Sequence, residues 1–253
     1  MQLITLLTDF GLKDHRLAIL KGQLYRSIKT PFQIVDITHE VKAHDIVEAA
    51  FLFESAWKFF PAGTIHIVWL YPQDVEDIIV AHLHGHWMIA PDNGFLSLLA
   101  DMGQMELYRV PIPDRGQAPL FRFIAGLSED CIMGELSGLD KTDTIRERIA
   151  LKPVYSKNEI RASFLYSDRF GNVYFNLREH MFEKIRNGRT FKVFYRGMEP
   201  ITEISKIYAD VAPGEMLCLF NGAGFFQISQ HLGSAEDALE IKHQDSIQIL
   251  FYD

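Results

Sequence analysis

Only two cysteines occur in 253 residues, Cys131 and Cys218, and they lie far apart with no metal-type spacing. Their scarcity excludes a disulfide-stapled scaffold and a cysteine-rich zinc module, and it points to a reduced compartment with buried thiols. Positive charge is also short: 25 Lys and Arg stand against 33 Asp and Glu, a net charge of −8. That balance argues against a nucleic-acid partner, which needs a basic face. No apolar run approaches the ~20 residues that span a bilayer, and no signal peptide is recognisable. The expectation is a cytoplasmic protein with no membrane partner. Internal repeats and low-complexity tracts are missing too. Core material is not: the chain is 48% hydrophobic and 12% aromatic, enough for one large domain or two ordinary ones.

The first half alternates β-branched runs with helical patterns. Leu3–Thr8, Ile34–Ile37 and Ile65–Leu70 read as strands; the segment after Asp14 and the stretch Asp45–Phe60 read as helices. Ile78–His84 and Trp87–Ala90 read as a hairpin about Gly85. Beyond about residue 150 the rhythm changes to short strands, at Ala162–Tyr166, Val173–Leu177, Thr190–Tyr195, Met216–Phe220, Phe225–Ile228 and Ser246–Phe251. Gly, Pro, Asn or Asp separates them, as in a small barrel or sandwich. The fold class expected is therefore α/β: an N-terminal α/β domain over 1–150 with a mainly parallel sheet, then a smaller C-terminal β-barrel domain over 151–253. Ligands of such sheets bind outside the carboxyl ends of the strands. Asp9, Tyr71 and Asn93 all follow strands in this way.

Leu7-Thr8-Asp9-Phe10-Gly11 closes the first apolar run. A carboxylate beside a glycine at a strand end is a place to hold ribose hydroxyls, and also a place to cap the next helix. Asp168-Arg169-Phe170-Gly171-Asn172 opens a strand on which Asn172 and Tyr174 share a face; taken alone it is equally a β-turn with an Asx hydrogen bond. Asn93 in Pro91-Asp92-Asn93-Gly94 reads as a turn residue. His82, His84 and His86 alternate, which would set three imidazoles on one strand face unless the turn at Gly85 breaks the run. No metal is expected, and His39 and His66 read as structural.

With Ile34–Glu40 (Ile-Val-Asp-Ile-Thr-His-Glu), Gly63–Val68 (Gly-Thr-Ile-His-Ile-Val) and Ala90–Gly94, these motifs come in an order and at spacings that resemble the S-adenosylmethionine hydroxide adenosyltransferase family. Fluorinases and chlorinases are among its relatives, and the likeness runs along nearly the whole chain. The resemblance implies an α/β domain followed by a β-barrel, and a homotrimer with a small nucleoside ligand lodged between subunits. No cofactor is implied, because S-adenosylmethionine is itself the substrate or ligand. Asp9, with Phe10 beside it, would hold the ribose by a charge-assisted contact. Asp168 would face the methionine ammonium, Phe170 and Tyr174 would line the pocket, and Asn172 would reach polar ligand atoms. Asn221-Gly222-Ala223-Gly224 and Leu232-Gly233-Ser234-Ala235 resemble segments whose backbone reads the adenine edge. There Asn221, Gly222, Ser234 and Ala235 would touch ligand. Gly222 stands where the family has a serine for the methionine carboxylate, and Ala223 where the fluorinase branch has arginine.

The segments that carry the family's reaction depart from it. Hydroxide-transferring members use an aspartate, an arginine and a later histidine to position the water that attacks C5′ and expels methionine. The sulfonium leaves readily, so alignment of water and removal of one proton suffice. Here Tyr71 replaces the aspartate, Ile78 the arginine, and Ile124 the histidine. No histidine lies between His86 and His180, so the triad is absent. Tyr71 and Asp74 are the candidate stand-ins. A halide pocket is not expected, since Asp74 would repel the anion.

Overall fold

A computed structural model describes residues 1–70, 74–99, 102–136, 138–148, 152–197, 199–242 and 244–253. The chain divides into two compact units, Met1–Ile149 and Ala150–Asp253.

In the first unit the elements are β1 (Gln2–Thr8), α1 (His15–Ser27), β2 (Phe32–Thr38), α2 (Ile46–Glu54), β3 (Ile65–Trp69), β4 (Asp77–Leu83), β5 (His86–Pro91), β6 (Glu106–Pro111), α3 (Gln117–Met133) and β7 (Asp140–Lys141). One seven-stranded sheet runs β2-β1-β3-β5-β4-β6-β7. Alternate side chains bury opposite faces of this sheet. Ile4, Leu6, Ile65, Ile67 and Trp69 pack with α1 and α3, while Leu7, Val68 and Ile79 pack with Phe53 and Trp57 on the other side. Asp14 caps α1 by accepting the Arg16 N–H, and Asp45 caps α2 by accepting the Glu48 N–H at 2.9 Å.

The sheet is mixed rather than mainly parallel. β1 pairs parallel with β2 and with β3, and β3 parallel with β5; β4–β5, β4–β6 and β6–β7 are antiparallel. The cause is the hairpin about His84-Gly85. Both turn residues have positive φ, 50° and 80°, which matches the tight two-residue turn that reverses a strand. The same turn breaks the histidine alternation. His82 lies opposite Trp87, their rings 4.3 Å apart, whereas His86 lies opposite Leu83 and so faces the other side. The helix expected to Phe60 ends at Glu54, followed by a separate 3-10 turn over Trp57–Phe59.

The second unit comprises β8 (Val154–Tyr155), β9 (Glu159–Ser167), β10 (Val173–Arg178), α4 (Glu179–Arg186), β11 (Thr190–Phe194), β12 (Met216–Phe220), β13 (Phe225–Gln230), α5 (Ala235–Leu239) and β14 (Ser246–Tyr252). The path β11-β14-β9-β10-β13-β12 is antiparallel throughout, and β8 adds to β9. The two end strands of this curled sheet are not laddered to each other. Each instead makes one isolated bridge to the intervening segment, Val193 to Ile201 and Cys218 to Ile204. Phe182 of α4 sits at the centre, with the rings of Phe191, Phe220, Phe226 and Phe251 between 5.2 and 6.2 Å away. Both cysteines are buried, and burial pushes each thiol up to about 12, so neither is a ready thiolate.

Candidate functional site

Each unit carries one cluster of the residues that the sequence singles out. In the first, Asp9 stands just past the carboxyl end of β1. It does not cap α1, a role Asp14 takes; its Oδ2 accepts the backbone N–H of His44 at 3.1 Å. The loops that leave the carboxyl ends of β1 and β2 therefore meet at this edge. A chain of polar contacts fixes them from below. Thr8 Oγ1 and His39 Nδ1 share a hydrogen bond at 2.9 Å, His39 Nε2 lies 3.1 Å from Asp36 Oδ1, and Lys21 Nζ donates to Asp36 Oδ2 at 2.6 Å. Burial pulls the Asp36 carboxyl upward, but Lys21 and His39 outweigh it and hold the group below its ordinary range. His39 is thus a strut under the edge. Lys21, its remote end, is a residue that sequence reasoning missed; only its position on the exposed side of α1 hinted at a partner.

Phe10 turns inward, its ring 5.9 Å from that of Phe121 in the core. Asn93 accepts the Phe95 N–H at 3.0 Å and acts as a turn residue. Asp74 is exposed beyond the same sheet edge. Tyr71 lies outside the described residues. Ile78 and Ile124 are both fully buried in the core between the sheet and α3. Among the described residues there is no group of three or more His, Cys, Asp or Glu side chains able to hold a metal ion. No helix there is long and apolar enough to cross a membrane.

In the second unit Asp168 organises the turn before β10. Its Oδ1 accepts the N–H groups of Phe170 at 2.9 Å and Asn172 at 3.0 Å. Its Oδ2 accepts Asn172 Nδ2 at 2.8 Å and the Tyr174 hydroxyl at 3.0 Å. Burial, and next the Asp168 charge, push the Tyr174 hydroxyl upward, so it stays protonated as a donor. Tyr166, opposite Tyr174 across β9 and β10, brings a second polar aromatic ring within 6.3 Å of it. The Tyr-Ser-Asp alternation was the signal for that residue.

Gly171 is required at its position. Its φ of 74° is left-handed, and a Cβ there would run into the Cα, Cβ and Oγ of Ser234. Ser234 in turn caps α5, accepting the Asp237 N–H at 3.1 Å, while the Glu236 N–H donates to Gly171 O at 2.9 Å. The structure thus brings Asp168, Phe170, Asn172 and Tyr174 together with Ser234, and buries Ala235 beneath them. Asn221 and Gly222 are elsewhere. Asn221 Oδ1 accepts the N–H groups of Ala223 and Phe225 in the turn between β12 and β13. That turn and the Ser234 loop flank β13, whose six residues put them about 17 Å apart.

A mixed α/β unit with an aspartate at its carboxyl edge, followed by a curled antiparallel unit, defines the architecture. Family models for the N-terminal and C-terminal domains of SAM hydroxide adenosyltransferase match residues 4–123 and 162–248. The chain belongs to the SAM hydroxide adenosyltransferase family. An (R)-S-adenosyl-L-methionine hydrolase of Methanocaldococcus jannaschii is 24% identical over 261 residues, spanning 99% of this chain and 97% of its own. A fluorinase of Nocardia brasiliensis is 22% identical, over 98% of this chain and 96% of its own. The crystal structure of an uncharacterized conserved protein from Thermotoga maritima superposes with a TM-score of 0.84 at 26% identity, covering 98% and 99% of the two chains.

Proposed function

We propose that this protein binds the adenosyl group of S-adenosylmethionine and holds it without the family's water-activating triad. One observation carries the proposal: the Asp9 carboxylate is fixed at the carboxyl edge of the sheet by the His44 backbone, where vicinal ribose hydroxyls can donate to it. Asn172 adds a second contact. Its amide nitrogen is committed to Asp168, and its amide oxygen has no hydrogen-bond partner among the described residues, leaving that acceptor for a donor on the nucleoside. In the family's arrangement the ligand lies between subunits of a trimer, and the same assembly is proposed here, in the cytoplasm.

The burial of Ile78 and Ile124 favours binding over turnover. A second reading keeps the reaction. Asp74 stands exposed near the same edge and, with Tyr71, is a stand-in for a base, beside the carboxylates Glu76 and Asp77. Water oxygen would bond to C5′, the C5′–S bond would break with its electron pair going to sulfur, and the water proton would pass to the carboxylate. The products would be adenosine and methionine. Incubation with S-adenosylmethionine followed by chromatography separates the two readings. Intact ligand retained at one per chain supports binding alone, whereas adenosine and methionine rising with protein concentration support hydrolysis. Asp9→Ala is expected to weaken nucleoside binding by a hundredfold or more; unchanged affinity would remove the premise of both.

A further inference from the structure

Asp168 has no acceptor left to offer. A carboxylate provides about four lone-pair sites, and four donors of its own turn and strand occupy them at 2.8–3.0 Å: Phe170 N–H, Asn172 N–H, Asn172 Nδ2 and Tyr174 OH. Three belong to the turn itself. The fourth, from Tyr174, reaches back from the strand. An α-ammonium brings three donors and no acceptor, so to contact Asp168 it would have to displace the Tyr174 hydroxyl. The groups around the turn do not compensate. Arg169 is exposed on it and its positive charge repels a sulfonium. Phe170 is 78% exposed, and Leu232, two residues before Ser234, is 84% exposed. At the other end of β13, Gly222 and Ala223 carry no hydroxyl or guanidinium of their own, and the Arg178 guanidinium there is committed to the Ala223 carbonyl at 2.8 Å and stacks on the Phe225 ring. The surroundings suit an uncharged, apolar tail.

We infer that the site selects 5′-thioether nucleosides, of the 5′-alkylthioadenosine class, over the zwitterionic sulfonium S-adenosylmethionine, and that Tyr174 sets the preference by closing Asp168. This rests on the adenosyl reading above. Calorimetric titration of the full-length protein with 5′-methylthioadenosine, adenosine and S-adenosylmethionine tests it. The expected result is a Kd for 5′-methylthioadenosine at least tenfold below that for S-adenosylmethionine. Tyr174→Phe uncovers Oδ2 of Asp168 and should shift this ratio at least tenfold toward S-adenosylmethionine. A smaller wild-type ratio, or an unshifted ratio in a Tyr174→Phe protein that melts like wild type, would overturn the inference. Should that variant not fold, the wild-type ratio alone decides. Failure of all three nucleosides to bind would overturn the adenosyl reading instead, and the inference with it.

Discussion

Acid destabilises the α/β unit through His66. This side chain is fully buried, with Nδ1 2.7 Å from Thr5 Oγ1 and Nε2 3.1 Å from His86 Nδ1. The rings of Phe53, Trp57 and Phe60 enclose it. Burial, and next the neighbouring His86, lower its pKa to about 3. His86 is itself shifted down by burial and by His84 and His82, so it offers no relief. The folded pKa lies below the unfolded value near 6.5, so the unfolded chain takes up a proton first as pH falls. The contribution is present above pH 6.5 and is lost progressively below it. Integrated from pH 7 to pH 4.5, the loss from His66 alone is about 2.5 kcal/mol. All three tryptophans, Trp57, Trp69 and Trp87, belong to the first unit, so fluorescence-monitored urea unfolding reports on that unit. His66→Gln removes the titration and is itself less stable at pH 7. Carboxylates and histidines out of contact with His66 act on both proteins alike. Wild type should therefore lose about 2.5 kcal/mol more than the variant between the two pH values. Equal losses, within about 0.5 kcal/mol, would show that His66 is not held neutral by burial, and the reasoning would fail.

Two further expectations concern the second unit. Phe182→Ala removes the ring at the centre of the curled sheet and should cost about 3–5 kcal/mol in urea unfolding, the range for emptying a buried aromatic site. Gly171→Ala combines a left-handed φ with a collision against Ser234; it should destabilise by more than about 1 kcal/mol and weaken nucleoside binding together, read by thermal melting and titration. Wild-type values in either variant would refute the packing described.

Six of the seven strands of the second unit were legible because β-branched and aromatic runs there are punctuated by Gly, Asn and Asp; the two-residue β8 was too short to read. α4 was not, since eight residues between two strands give little periodicity. α3 carried a readable pattern in Phe121, Ile124, Ala125, Ser128 and Cys131, but its start gives no signal: Gly116 offers no side-chain cap. The hairpin about Gly85 was legible, yet its consequence was not. Once β4 runs against β5, β6 and β7 follow antiparallel, and that depends on strand order rather than on any local run. At the site, alternation placed Asn172 and Tyr174 on one face, and both do meet Asp168. That Tyr174 completes the carboxylate's set depends on how the turn folds back, and the partner of Asp9 is 35 residues away in sequence. Contacts of that range leave no local pattern.

The two buried isoleucines bear on why the fold persists where the resemblance expects reacting groups. Ile78 on β4 and Ile124 on α3 belong to one continuous core with Phe10 and Phe121. An arginine alone at the first position would bury a guanidinium in apolar surroundings, at a cost of several kcal/mol unless a partner and water came with it. A histidine alone at the second would face the same demand for polar neighbours. Two isoleucines remove both demands together, and each buried side chain contributes about 1.5–3 kcal/mol of apolar transfer. A water-activating site works against packing, because it needs polar groups and solvent at the edge of a core. On the binding reading that conflict has been resolved in favour of the core. Asp9, anchored by the His44 backbone at the sheet edge, keeps its carboxylate outside that core.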